Sequence, residues 1–253
     1  MLPEYIKSGN FLPSQYTNLQ SFPVLNFIGT DNEDDYNANL EKMPPDWIYR
    51  QTPITYTLNS DGYRTTEFST IDWCNSIVLF GCSNVFGMGV DDSSTLSSQL
   101  QQLTGIPVIN MGLAATSMTH ALYNQLILSE IEPNPLAIVN VWTVINRMCA
   151  FIPDKVINHG RWDLVEEGFD EMKQLEIINY KTTTAATHSY FARLAAKNLW
   201  KNTKYYECSF FPLSAEQLNI PLLLFNDEAR DGRHPGVMSH LNAAKQIAQA
   251  LNL

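Results

Sequence analysis

Three short, almost wholly apolar runs, spaced by amphipathic stretches, constrain this chain more than any other feature. "SIVLFG" (76–81), "IPVIN" (106–110) and "LAIVNVW" (136–142) have no polar alternation, which marks strands buried on both faces. Between the first two, Leu96, Leu100 and Leu103 fall at spacings of four and three, one apolar helical face closed by Gly105. Between the second and third, "SMTHALYNQLILSEI" (117–131) reads as a second amphipathic helix, begun by Ser117 and stopped before Pro133. Strand–helix–strand–helix–strand at this rhythm predicts a parallel sheet with right-handed crossovers. Farther on, "IPLLLFN" (220–226) reads as another buried strand and 237–253 as a last helix, with Leu241, Ala244, Ile247 and Leu251 on one side.

The flanking regions read differently. Residues 1–75 are rich in Pro, Asn, Tyr and Asp, and read as an N-terminal extension packed on the main unit, 76–253. Within it, "DNEDDYNANLEKMPPDW" is a loop or short helix, Asp31–Asp35 a solvated acidic loop without calcium-site spacing, and "ITYTLNSDGYRT" a strand followed by a turn. Residues 148–207 read as a mostly helical insert that could be a lid, a specificity wall or a dimer contact.

The charge balance narrows the function classes. With 26 acidic against 16 basic residues, a net charge of −10, and no basic cluster, nucleic-acid and anionic-membrane binding are disfavoured. No apolar run reaches the roughly 20 residues of a membrane span, and no secretory signal is evident, so the expectation is a cytoplasmic protein or one whose compartment the sequence leaves open. The four cysteines are scattered without zinc spacing and read as free thiols. No Gly-x-Gly-x-x-Gly or phosphate-loop pattern is present, and no metal or organic cofactor is expected.

In an open parallel sheet, ligands bind outside the carboxyl ends of the strands. The first run ends at Gly81-Cys82-Ser83, followed by Gly87 and Gly89. Ser83 there is either a helix cap or a nucleophile. Alternation along the strand points Cys82 away from Ser83, into the core. The second run ends at Asn110-Met111-Gly112, and the third near Thr143, with Asn146 and Arg147 beyond. The last ends at Asn226-Asp227 and leads into "EARDGRHPG", where Asp231 and His234 are three apart. That spacing sets a carboxylate beside an imidazole, fixing one ring nitrogen as donor and leaving the other as base. A hydroxyl at one strand end and an Asp–His pair at another is the arrangement of an activated nucleophile. His120, His159, His188 and His240 lack such a neighbour, with His240 expected to face solvent or pack locally. Asp227 is a rival orienter for His234.

"FGCSNVFGMGV", "INMGLAATS", "WTVINR" and "DGRHPGVMSHLNAA" together resemble the sequence blocks of the SGNH/GDSL hydrolase superfamily, in order, over residues 77–250. "NSDGYRT" (59–65) is similar to a segment that often precedes the first block. The resemblance implies a three-layer α/β/α, flavodoxin-like fold and hydrolysis of esters, often of lipids or of acetyl groups on sugars. It implies Ser83 as nucleophile, His234 as general base and then acid, and Asp231 as its orienting partner. The oxyanion would be held by the N–H groups of Ser83 and Gly112 and by Asn146, with Thr143 or Arg147 as alternatives. Arg147 could instead bind an anionic part of the substrate. Two departures stand out. Gly-Cys-Ser replaces Gly-Asp-Ser in the first block, and the third block lacks a well-placed Gly-x-Asn. The acidic chain, without a long apolar lid, favours a small acyl group such as acetyl on a carbohydrate over long lipids. The competing reading is a catalytically inactive SGNH-fold module that binds glycans or serves a structural role.

Overall fold

The computed structural model describes residues 4–19, 24–152, 156–160, 174, 177 and 183–253. In chain order its principal elements are α1 (Glu4–Lys7), α2 (Glu33–Lys42), β1 (Ile77–Gly81), α3 (Ser83–Phe86), α4 (Leu96–Thr104), β2 (Val108–Asn110), α5 (Met118–Ile131), β3 (Ala137–Val141), β4 (Met148–Phe151), β5 (Val156–His159), α6 (Thr184–Leu199), β6 (Lys204–Cys208), α7 (Pro212–Leu218) and α8 (Val237–Leu251). Four strands form a parallel sheet in the order β2-β1-β3-β6. All residues of β1, β2 and β3 are buried, as their unbroken apolar runs require.

Alternation along the strands divides the core in two. Ile77 and Leu79 of β1, with Ala137 and Val139 of β3, pack against Leu96 and Leu100 of α4 and Ala244 and Ile247 of α8. Val78, Phe80 and Ile138 face the other way, onto Met118, Ala121 and Leu128 of α5 and Ala192 and Ala196 of α6. The result is a three-layer α/β/α sandwich. The helix boundaries follow local chemistry. Thr95 caps α4 by accepting the Ser98 N–H at 3.2 Å, and Gly105 closes it in a left-handed conformation. Ser117 caps α5 through the His120 N–H, also at 3.2 Å. Among the described residues, no helix is long and apolar enough to cross a membrane.

Several expectations need correction. The run 220–226 is no strand: it makes one parallel bridge, Ser209 with Leu222, and leaves Leu222, Leu224 and Phe225 exposed. The fourth strand is instead β6, "KYYEC", whose polar content hid it inside a region read as helical. Residues 148–151 and 156–159 are likewise not helical but pair as the antiparallel strands β4 and β5. The helix expected around "HSYFARLAAKNLWKN" is α6, whereas the one expected over "DLVEEGFDEMKQLEIINY" lies almost wholly outside the described residues. "ITYTLN" makes only an isolated bridge, Tyr56 with Leu25. Its turn is present: the Asn59 side chain accepts the N–H groups of Asp61 and Tyr63. Asp31 is buried, not solvated, and pairs with the equally buried Arg230 at 2.8 Å. His240 is fully buried, beside the ring of Phe210.

Aromatic residues from the N-terminal segment form a third cluster. Tyr16, Ile28, Tyr49, Ile54 and Tyr56 pack on Phe86, Met88 and Ala114, next to the carboxyl end of β1. Arg64, itself buried, donates to the carbonyls of Phe86, Gly87 and Val90 and pairs with Asp92 at 2.6 Å. The segment thereby grips the loop that follows Ser83.

Candidate active site

β1 delivers Ser83 to the first position of α3, where the backbone leaves the sheet. α3 is one turn long and ends at Gly87 in a left-handed conformation. Gly89, also left-handed, has a different task. A Cβ there would lie 2.7 Å from Ala229 Cβ and 3.1 Å from Arg230 N. Its carbonyl accepts the Arg230 N–H at 2.9 Å. Absence of a side chain at Gly89 lets the loop after Ser83 lie directly against the loop that bears Asp231 and His234.

Across that contact three side chains line up. His234 Nδ1–H donates to Asp231 Oδ2 at 2.6 Å, which leaves Nε2 as the acceptor for the Ser83 hydroxyl at 2.9 Å. Asp231 is held from several sides. Its Oδ1 accepts the N–H groups of Arg233 and His234, and its Oδ2 also accepts the Thr30 hydroxyl at 2.8 Å. Burial by itself would raise the carboxyl pKa, but the His234 bond and charge, with Thr30 and the Arg233 N–H, bring it below its ordinary value. Asp231 is therefore a carboxylate at neutral pH. Its side chain is wholly shielded from solvent while that of His234 keeps 14% of its surface exposed, so the imidazole faces outward.

Thr30 was not anticipated as part of the site. It lies some 200 residues away in sequence, in "FIGTDN", and no motif marks it. The rival orienter Asp227 is otherwise engaged: its carboxylate accepts the N–H groups of Met238 and Ser239 and caps α8.

The hydroxyl opens into a recess of about 310 Å³ lined by Ser83, Asn84, Arg147, Phe210, Phe211, Phe225, Arg233 and His234. Arg147 stands over the ring of Phe211, 5.8 Å from its centroid. Two of the expected oxyanion donors fare less well. The Gly112 N–H is already given to Asn110 Oδ1 at 2.9 Å, because the Asn side chain closes the turn after β2. Asn146 is half-buried and is not among the described residues that line the recess; Arg147, the next residue, is. Thr143 is buried and is not among the described residues that line it. Cys82 is buried as expected, with its sulfur 4.0 Å from the Ser83 oxygen. Among the described residues, no cluster of three or more His, Cys, Asp or Glu side chains is arranged to hold a metal ion.

No family model matches the sequence, and no curated protein does. Several solved structures that resemble the chain carry lipolytic G-D-S-L or esterase names. A carbohydrate esterase family 2 enzyme with a carbohydrate-binding domain, from Corynascus thermopiles, is 11% identical, with 71% of this chain and 67% of that one covered and a TM-score of 0.42. A member of the lipolytic protein G-D-S-L family from Veillonella parvula is 13% identical over 69% of this chain and 96% of its own, with a TM-score of 0.38. The psychrotrophic esterase EstA from Pseudoalteromonas is 14% identical over 70% and 97%, with a TM-score of 0.35. At such distances the chemistry of the site has to rest on its own geometry.

Proposed function

We propose that the chain is a serine esterase whose nucleophile, base and orienting acid are Ser83, His234 and Asp231. The observation that carries this reading is the continuous hydrogen-bonded line from Asp231 through His234 to Ser83, at 2.6 and 2.9 Å, at a strand end. The resemblance of the sequence blocks to the SGNH/GDSL superfamily agrees with it.

The proposed steps follow from the atoms. His234 Nε2 removes the Ser83 proton as Oγ attacks the ester carbonyl, and Asp231 stabilises the imidazolium that forms. The negative charge then developing on the carbonyl oxygen needs donors. The Ser83 N–H is one, because the first N–H groups of a helix have no intrahelical partner. With the Gly112 N–H committed elsewhere, Asn84, Arg147 and Arg233 are the donors lining the recess that can complete the set. Protonated His234 returns its proton to the leaving alkoxide. Water, deprotonated by the same nitrogen, then releases the acid from Ser83.

The small recess, walled by three phenylalanines, suits a short acyl group such as acetyl. Arg147 and Arg233, which line it, favour esters with electron-rich or anionic substituents near the carbonyl. The test is turnover of 4-nitrophenyl acetate by the wild type and by Ser83→Ala. The wild type should hydrolyse it and the variant should retain about 10⁻³ of that rate or less. Equal rates from the two proteins would instead favour a non-catalytic binding module.

A further inference from the structure

The line from Asp231 through His234 to Ser83 joins two loops, and a second, buried line joins the same two. It runs through Tyr56, a fully buried residue of the N-terminal segment. The Tyr56 hydroxyl accepts the Gly89 N–H at 2.8 Å and donates to Asp31 Oδ2. Asp31 in turn accepts Arg230 Nε–H on Oδ1 at 2.9 Å and Arg230 Nη2–H on Oδ2 at 2.8 Å. Arg230 is the residue before Asp231.

Each end of this second line is fastened to a member of the site. At one end, the N–H groups of Gly87 and Met88 donate to the Ser83 carbonyl at 3.0 and 3.2 Å, so Gly89 follows directly on a turn closed by the nucleophile's own backbone. The Gly89 carbonyl accepts the Arg230 N–H, and with its N–H on Tyr56 both of its backbone polar groups are held. At the other end, the Arg230 guanidinium lies 4.2 Å from the ring centroid of Phe27 and 5.2 Å from that of Tyr36, and also donates to the Asn26 carbonyl. Stacked and bonded on several sides, it anchors the backbone that carries Asp231.

Tyr56 can serve both neighbours only through its hydroxyl. Burial first, and then the charge of Asp31, raise its pKa well above the ordinary value, so it stays a donor to Asp31 while its oxygen accepts from Gly89. The ring has separate partners. It stacks on Phe86, with centroids 6.2 Å apart, and its centroid lies 4.3 Å from the Arg64 guanidinium carbon. Phenylalanine at this position keeps those ring contacts and removes the link between Gly89 and Asp31.

We propose that Tyr56 is a positioning residue for the Ser83–His234 pair, its hydroxyl coupling the loop after the nucleophile to the loop that carries the base and its carboxylate. The effect on rate rests on the esterase reading; the effect on geometry does not. The test compares the wild type, Tyr56→Phe and Tyr63→Phe. Tyr63 is equally buried, and its hydroxyl also bridges two protein groups, the Leu12 carbonyl and the Asn124 amide, in the cluster that includes α5. Its loss measures what deleting a buried hydroxyl does by itself. On 4-nitrophenyl acetate, at a temperature where melting curves show the proteins folded, kcat should fall about tenfold in Tyr56→Phe with KM unchanged, because the reacting groups lose their alignment. Tyr63→Phe should keep the wild-type kcat. A wild-type kcat in Tyr56→Phe, or an equal fall in Tyr63→Phe, overturns the proposal. So does a Tyr56→Phe chain that does not fold, since the hydroxyl then serves the fold and not the site. If the wild type hydrolyses no ester, the esterase reading fails, and the His234 Nδ1 proton, bonded to Asp231, still reports the geometry by NMR. Its exchange with solvent should quicken about tenfold in Tyr56→Phe and not in Tyr63→Phe. Equal exchange in the wild type and Tyr56→Phe overturns the proposal.

Discussion

Acidification from pH 7 to pH 5 should destabilise this fold by about 4 kcal/mol, and two buried histidines are the reason. His240 on α8 is fully buried beside Phe210, and burial first, then Arg64 and His234, brings its pKa down to about 3. His120 on α5 is held at about 4, chiefly by burial. In the unfolded chain both rings titrate near 6.5. Between those values the unfolded state binds more protons than the folded one, so stability rises with pH across the window and is fully present only above about 6.5. At pH 5 each ring is about 1.5 pH units below its unfolded pKa and still neutral when folded. At about 1.36 kcal/mol per unit, each costs about 2 kcal/mol. That is a large share of the 5–15 kcal/mol typical of a domain. Asp231, whose pKa is lowered, titrates below this range and destabilises only as pH falls below its unfolded value near 3.9. Urea unfolding at pH 7 and pH 5 measures the difference. In His240→Leu, which replaces a ring with two unpartnered nitrogens by an apolar group, the loss should shrink to about 2 kcal/mol. Equal urea midpoints at the two pH values, or a His240→Leu variant with the full wild-type pH dependence, would refute this account.

Other expectations concern the site and its supports. Asp231→Asn should lower kcat by about 10³–10⁴ while leaving the fold intact, because the amide favours the wrong imidazole tautomer; steady-state kinetics on 4-nitrophenyl acetate would read it. Thr30→Val removes one hydroxyl donor from the Asp231 carboxylate and should lower kcat by about tenfold, in line with the 1.5–3 kcal/mol of a bond to a charged group. An undiminished kcat would leave Thr30 outside the machinery. Arg64→Met strands Asp92 and four backbone carbonyls, and a loss of about 3–5 kcal/mol in denaturant unfolding is expected. The rate should decline on the acid side of the pH profile, since only neutral His234 can accept the Ser83 proton; a flat profile from about pH 4 to 8 would contradict that role.

How much of this could be read in advance depended on the range of the interaction. β1, β2 and β3 were legible because a strand buried on both faces must be apolar at every position, and α4 and α8 because their periodic faces meet that sheet; α5 buries His120, Asn124 and Gln125 and exposes Leu126 and Ile131, so it was marked by its bounds, Ser117 and Pro133, more than by its face. β6 was not. As the edge strand it is only partly buried, so Lys204, Tyr205, Tyr206 and Glu207 are tolerated and the run carries no hydrophobic signature. The opposite error, at 220–226, came from apolar residues that remain exposed near the recess. The contact between Asp231 and His234 was legible from a three-residue spacing, a local quantity. The bond from the Gly112 N–H to the Asn110 side chain, two residues back, was not legible, because spacing cannot reveal it.

The N-terminal segment was the least legible part, and it has the most to do with holding the site together. Composition suggests an extension packed on the main unit, and its polar side chains reach the loops of the site. Thr30 donates to Asp231, Asp31 pairs with Arg230, and Asn39 donates to the Arg230 carbonyl. Arg64 secures the loop between Ser83 and Gly89. Arg230 immediately precedes Asp231, so its buried pair with Asp31 fixes the backbone from which the carboxylate projects. The two loops of the site otherwise meet through the close approach at Gly89, and neither belongs to a long element that could hold it rigid. Catalysis by this geometry requires the hydroxyl and the imidazole to stay within about 3 Å of each other. On the faces away from the sheet, Thr30, Asp31, Asn39 and Arg64 hold the two loops in that relation.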